Sequence, residues 1–259
     1  MIELKFLGTG ALGRARVKSK LSKDYRRFST LLINNDLIID PSEDVFEFAE
    51  TFQLRDICDG IETVLITSSE PDKLSTNAVE RLSAKKRRYV CASQSVCTIL
   101  GDLKGASILP VEPFSIIEAK NYRIIPLPAN HATEIRGEMT YSYLITCEEK
   151  NILYAPGASF INPVAWQFLR EMKLDVVILD CALGDLPYSE KCVSFNNLAL
   201  AGAVKDIMTG SKVADESTKF ILTNMPSGRK MPTHEQIELA IENEKLPFRV
   251  AYDGYFTHI

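Results

Sequence analysis

Hydrophobic and polar positions along this chain change period repeatedly, with short apolar runs of extended character between stretches whose apolar residues recur every three or four positions. Glu3 to Leu7 alternates polar and apolar residues and predicts a first strand. Thr30 to Asn34 and Leu37 to Asp40 predict two more, joined by the hairpin-type turn Asn35-Asp36. After Pro41, the residues Val45, Phe46, Phe48, Ala49 and Phe52 share one face of a helix for which Ser42 is the expected N-cap. Glu62 to Thr67 reads as a strand, a helix runs through Val79 and Leu82, Tyr89 to Cys91 is a strand and Gln94 to Leu100 a helix. In the middle of the chain Ser115 to Glu118, Tyr122 to Pro126, Met139 to Thr146 and Asn151 to Tyr154 all read as extended, the last two joined through Glu148-Glu149-Lys150. Thereafter the helices Pro163 to Met172, Phe195 to Met208 and His234 to Asn243 alternate with the strands Val176 to Leu179, Phe220 to Thr223 and Phe248 to Ala251. Central hairpins set among helix–strand units imply two sheets sandwiched between outer helices rather than one all-parallel sheet.

Composition narrows the picture without changing it. With 259 residues, 46% of them hydrophobic, the chain can bury the core of one domain spanning 1–259. Its longest continuous apolar run, near Val176 to Leu179, is far short of the roughly 18 residues of a membrane helix. The N-terminus reads as a strand, not a secretory signal, so the expected location is cytoplasmic, without membrane association. A net charge of -4 argues against general nucleic-acid binding. Two basic stretches, Arg14 to Arg27 and Lys85 to Arg88, read as a solvated loop and a solvated turn. The cysteines Cys58, Cys91, Cys97, Cys147, Cys181 and Cys192 lack paired spacing and read as buried free thiols.

Gly8-Thr9-Gly10-Ala11-Leu12-Gly13 is a literal G-x-G-x-x-G. A dinucleotide site would need the third glycine to open an amphipathic helix. The charged, nonperiodic stretch Arg14 to Phe28 follows instead, so a dinucleotide-dependent oxidoreductase rests on the glycines alone.

Taken in order, Lys5-Phe6-Leu7-Gly8-Thr9-Gly10, Arg27-Phe28-Ser29-Thr30-Leu31-Leu32-Ile33 and Leu37-Ile38-Ile39-Asp40-Pro41 resemble the start of metallo-β-lactamase superfamily hydrolases. The branch most like it includes tRNA 3′-end endonucleases and the cyclic phosphodiesterase of phosphonate breakdown. Val64-Leu65-Ile66-Thr67, Asn130-His131, Ile152-Leu153-Tyr154-Ala155, Asp175 to Asp180, Ile221-Leu222-Thr223-Asn224 and Ala251-Tyr252-Asp253-Gly254 continue the likeness in family order. The resemblance implies an α/β fold, a metallo-β-lactamase-type four-layer αββα sandwich.

It also implies a site. Family members hold two metal ions on a T-H-x-H-x-D-H loop, a later His, a bridging Asp and a last His, because imidazole and carboxylate donate lone pairs to a divalent ion that polarises the scissile group. At those positions this chain has Ser68, Glu70, Asp72, Lys73, His131, Gly157 and Asn224, and only Asp72 and His131 keep the family residue. The cleft is expected to be lined by these residues and Asp180. The donor set implies no cofactor or, at most, one divalent metal, zinc or manganese, on Glu70, Asp72 and His131. Three function classes follow. One is a catalytically impaired pseudohydrolase binding an anionic small molecule, a phosphodiester or a partner. The others are an active hydrolase of phosphodiesters or similar esters with an altered, mononuclear centre, and the oxidoreductase. The ordinary readings stand beside them: Glu70 or Asp72 as caps of the following helix, His131 as a bonded loop histidine, His234 in a Thr233/Gln236 capping box, and His258 in solvent. For Lys73 two readings are open: an internal cation bonded to Asn224 and paired with Asp72 or Glu70, or a solvated side chain.

Overall fold

Successive side chains of a strand point to opposite faces, so a strand apolar at every position must be covered on both sides. Most strands of this chain are of that kind. The computed structural model describes residues 1–11, 17–187, 195–228 and 230–259. Its first half contains β1 (Glu3–Gly8), β2 (Thr30–Ile33), β3 (Leu37–Ile39), α1 (Asp44–Thr51), β4 (Thr63–Leu65), α2 (Thr76–Ser83), β5 (Arg88–Ala92), α3 (Gln94–Leu100) and β6 (Ala106–Pro110). Its second half contains β7 (Ile117–Ala119), β8 (Tyr122–Pro128), β9 (Tyr141–Cys147), β10 (Lys150–Ala155), α4 (Pro163–Leu169), β11 (Val176–Asp180), α5 (Leu198–Gly210), β12 (Lys219–Thr223), α6 (His234–Asn243), β13 (Phe248–Val250) and β14 (Phe256–His258).

These strands form two seven-stranded sheets, in the orders β14-β1-β2-β3-β4-β5-β6 and β13-β12-β11-β10-β9-β8-β7. In each, an antiparallel part passes at β3 or β10 into a parallel part. The dyad alternation sorts the core into layers. Leu31, Ile33, Leu37 and Ile39 of one sheet meet Ile152, Tyr154, Val176 and Ile178 of the other between the sheets. Their neighbours Leu32 and Ile38 turn outward onto α1, α2 and α3, while Leu153, Val177 and Leu179 turn onto α4, α5 and α6. The result is the expected four-layer αββα arrangement. No helix among the described residues is long and apolar enough to cross a membrane.

Several local expectations need correction. Helix α1 starts at Asp44, and the Ser42 hydroxyl accepts from the Asp44 N–H at 3.2 Å without being the N-cap. Helix α2 is capped by Ser75, not by Glu70 or Asp72. Strands β6 and β14 carry no distinct alternation and were not anticipated; they form by pairing with β5 and β1 at the sheet edges. The basic stretches are not wholly solvated. Arg26, Arg27 and Arg88 are buried, and Arg27 pairs with Asp253 at 3.1 Å and Glu47 at 3.0 Å. Arg14 and Arg16 lie outside the described residues, as does Cys192. Of the other cysteines Cys91, Cys97, Cys147 and Cys181 are buried free thiols and Cys58 is half-buried. His234 opens α6 behind the expected capping box of Thr233 and Gln236.

The first two glycines of the G-x-G-x-x-G pattern have a packing explanation; Leu12 and Gly13 lie outside the described residues. A methyl on Gly8 would lie 2.0 Å from the Phe28 carbonyl oxygen, and one on Gly10 would lie 2.9 Å from that of Arg26. Gly10 bridges both Phe28 and Met225, stitching the two sheets together at this edge. These glycines admit the chain's own backbone, which accounts for them without a dinucleotide.

Candidate functional site

The parallel strands of both sheets end at one crevice, the usual place for a site in an α/β fold. Asp40 follows β3, Thr67 follows β4, Gly157 follows β10, Asp180 ends β11 and Asn224 follows β12. Three of these residues have left-handed backbone, Asp40 at φ 51°, Gly157 at φ 73° and Asn224 at φ 53°. Asp, Asn and Gly are the types that adopt it most readily, and it turns each chain sharply out of its strand.

The loop Ser68 to Lys73 brings Lys73 into the crevice. Its side chain is 2% exposed, its Nζ donates to Asn224 Oδ1 at 2.8 Å, and it pairs with Asp72 Oδ2 at 3.1 Å. The stem passes Gly157: a Cβ there would be 3.5 Å from Lys73 Cε. Asn224 turns its other end to Asp180, with Nδ2 donating to Asp180 Oδ1. Asp180 also accepts from the N–H groups of Gly157 at 3.3 Å, Ala182 at 3.2 Å and Asn196 at 2.7 Å. Four of the predicted positions, Asp72, Lys73, Gly157 and Asn224, therefore meet around one ammonium group. The solvated reading of Lys73 is overturned.

A buried ammonium is tolerable only with counter-charge and acceptors. Burial alone would lower the Lys73 pKa, but Asp72 and Asp40 outweigh it and hold it above the ordinary lysine value. The carboxylates feel the same dryness. Burial pushes Asp40 up to about 7, against the pull of Lys73 and of Thr67, whose N–H and hydroxyl each donate to it at 2.8 Å. Burial pushes Asp180 up to about 6, against its hydrogen bonds from Asn224, Asn196 and Ala182. Asp72 has its second oxygen, Oδ1, buried without a hydrogen-bond partner.

The remaining predicted residues form the outer half of the crevice. His131 Nε2 lies 2.8 Å from Glu70 Oε2, with side chains 3% and 17% exposed. The ring meets Phe195 edge-on at 5.6 Å between centroids. Ser68 is buried beside them, its hydroxyl 3.5 Å from the Glu70 nitrogen. Glu138 clamps this half: it accepts from the Ser69 N–H at 2.7 Å, from the Ser69 hydroxyl and from Thr133 Oγ1 at 2.6 Å, joining the signature loop to the His131 loop. Among the described residues no group of three His, Cys, Asp or Glu side chains is placed to hold a metal ion.

A family model, the β-lactamase superfamily domain, matches residues 35–234, most of the chain. The chain belongs to the β-lactamase superfamily. Solved structures of the superfamily overlay it throughout. A metallo-β-lactamase fold protein, YhfI from Bacillus subtilis, has a TM-score of 0.75 at 12% identity, covering 99% of this chain and 98% of that one. A diphosphatase from the PhnP family has a TM-score of 0.73 at 18% identity, covering 100% and 98%. Human tRNase Z, short form, has a TM-score of 0.67 at 11% identity, covering 99% of each chain. Identities this low establish the metallo-β-lactamase fold and leave the reaction to the residues of the site. No curated protein is significantly similar to this superfamily member in sequence.

Two site residues were missed from sequence. Asp40 and Glu138 are absent from the expected cleft, although Asp40 directly follows the apolar run Leu37-Ile38-Ile39. A carboxylate ending such a strand was the available signal, and Asp180 shows the same pattern. Glu138 precedes β9 in a loop and carried no pattern to mark it.

Proposed function

We propose that this superfamily member is a catalytically impaired pseudohydrolase, in which a lysine-centred network stands where relatives of its fold hold metal. The observation that carries this reading is Lys73. Its ammonium lies between Asp72 and Asn224, with its stem over Gly157, so it spans three positions that the family uses for metal ligands. An ammonium there repels a divalent ion and occupies the lone pairs such an ion would need. The donor set does not fit a two-metal centre. An anionic small molecule or phosphodiester entering the cleft would meet Lys73 already surrounded by Asp40, Asp72 and Asp180, and His131 already bonded to Glu70. These pairs hold Lys73 and His131 in place rather than leaving them poised on a reacting group, which favours a binding role, for an anionic ligand or a partner, over turnover.

One observation favours a second reading, an active hydrolase with a single zinc or manganese: Glu70 and His131 converge to 2.8 Å on the outer side of the cleft. The two are separated by quantifying metal in protein purified without chelators, alongside an assay with an aryl phosphodiester in added zinc or manganese. The pseudohydrolase reading expects far less than one metal per chain and no turnover that depends on His131. One metal per chain, with turnover abolished by His131→Ala, would overturn it in favour of the mononuclear enzyme.

A further inference from the structure

The Lys85 to Arg88 run, read from sequence as a solvated turn, borders a cavity of about 770 Å³ between α1 and α2. It lies at the N-terminal ends of β4 and β5, the opposite end of the first sheet from the Lys73 crevice. Phe46, Ala49, Leu82 and Ala84 supply an apolar wall, and Arg55, Arg81, Lys85 and Arg88 converge on it. That size is typical of small-molecule pockets.

The charges of this cavity are poorly balanced. Arg88 is buried and bonds only carbonyl oxygens, those of Leu82 at 2.9 Å, Cys58 at 3.2 Å and Ile61. These bonds engage all three of its nitrogens, while the carboxylates that act on it, Asp59 and Glu62, make no ion pair with it among the described residues. Arg81 lies 3.6 Å over the ring centroid of Phe46, which holds the guanidinium against the wall, and neither it nor Arg55 makes an ion pair among the described residues. Against these four cations stand Glu50 and Asp59, and Asp59 is already engaged by Lys85 at 3.6 Å.

We propose that this cavity is a binding site for a small phosphorylated aromatic molecule, independent of the cleft and of what the cleft does. Guanidinium forks match phosphate oxygens two at a time, which a lysine cannot do. Arg55 and Arg81, exposed at the rim, are placed to take the phosphate, with the buried Arg88 adding positive charge to the cavity lining. The apolar wall of Phe46, Ala49 and Leu82 takes the ring, and its aromatic face also accounts for Arg81 being held in place before any ligand arrives.

Titration of the full-length protein with phenyl phosphate, followed calorimetrically and by NMR, tests this. Saturable binding is expected, weakened by raised salt, with inorganic phosphate and benzyl alcohol each binding less tightly. Arg55→Glu and Arg81→Glu should each weaken it by about tenfold or more, the worth of one or two charge-assisted hydrogen bonds, while leaving the unfolding midpoint nearly unchanged. Absence of saturable binding at millimolar phenyl phosphate would overturn the proposal. So would binding that neither charge reversal alters, which would place the ligand elsewhere, or inorganic phosphate binding as tightly as the aryl ester.

Discussion

At the C-terminal ends of the strands, Lys73 is 2% exposed and surrounded by carboxylates and an oriented amide, while at the N-terminal ends Arg55 and Arg81 remain exposed and make no ion pair among the described residues. The first cluster has closed on itself. Asn224 links cation to anion by accepting from Lys73 and donating to Asp180, and backbone N–H groups complete the Asp180 shell. The second cluster has a buried cation, Arg88, hydrogen-bonded to carbonyl oxygens and balanced only at longer range by Asp59 and Glu62. The difference separates two uses of charge in one fold. Where the interior is dry, the network must be internally neutral or take up protons; where the cluster opens to water, residual charge is cheap and available to a ligand.

The comparison is broken most directly by removing the lysine. Lys73→Ala leaves buried carboxylates without their cation, and the expected loss is about 3–5 kcal/mol of stability, read from denaturant midpoints. The loss should be greater at pH 8 than at pH 5, since protonation of Asp40 and Asp180 relieves the orphaned charge. A midpoint shift near zero would show that the ammonium contributes nothing. Asn224→Gly, which keeps the left-handed backbone without strain, removes both hydrogen bonds of the linking amide and should cost about 2 kcal/mol in the same measurement.

The pH dependence of the wild-type protein sharpens the comparison further. In the folded state Asp40 keeps its proton up to about 7 and Asp180 up to about 6, whereas both release it near 4 when unfolded. The folded chain therefore binds more protons through this window. Their contribution to stability is present below pH 4 and declines as pH rises through 6 and 7. Unfolding of the wild type and of Asp180→Asn, compared from pH 5 to pH 8, should show a shallower decline in the variant. An identical slope would remove Asp180 from the account. The smallest effect belongs to the other cluster, where Arg55→Ala should change stability by no more than about 0.5 kcal/mol, as expected of an exposed side chain.

Much of the fold was legible because its signals are local. The runs Thr30 to Asn34, Leu37 to Asp40 and Val176 to Leu179 read as strands, and Gln94 to Leu100 and His234 to Asn243 as helices with the bounds observed. Strands β6 and β14 were not legible, since an edge strand needs only a partner on one side and imposes little pattern. The positions gathered at the crevice followed from the resemblance of the chain's ordered landmarks to the family, which holds even where the residue types have changed.

What the sequence determined by itself was thus the layered architecture, through its periodicity, and, through the resemblance of its ordered landmarks to the family, most of the side chains at the cleft. Only the tertiary structure decided that Lys73 points inward, that Arg88 is buried while Lys85 to Arg87 are not, and that Asp40 and Glu138 belong to the site. Those outcomes depend on solvent exclusion and on charges brought together from distant segments, such as Lys73 with Asn224 across 151 residues. No local pattern encodes the dielectric a side chain will experience, and in a lysine flanked by acids that dielectric decides between a solvated surface group and the centre of a buried network.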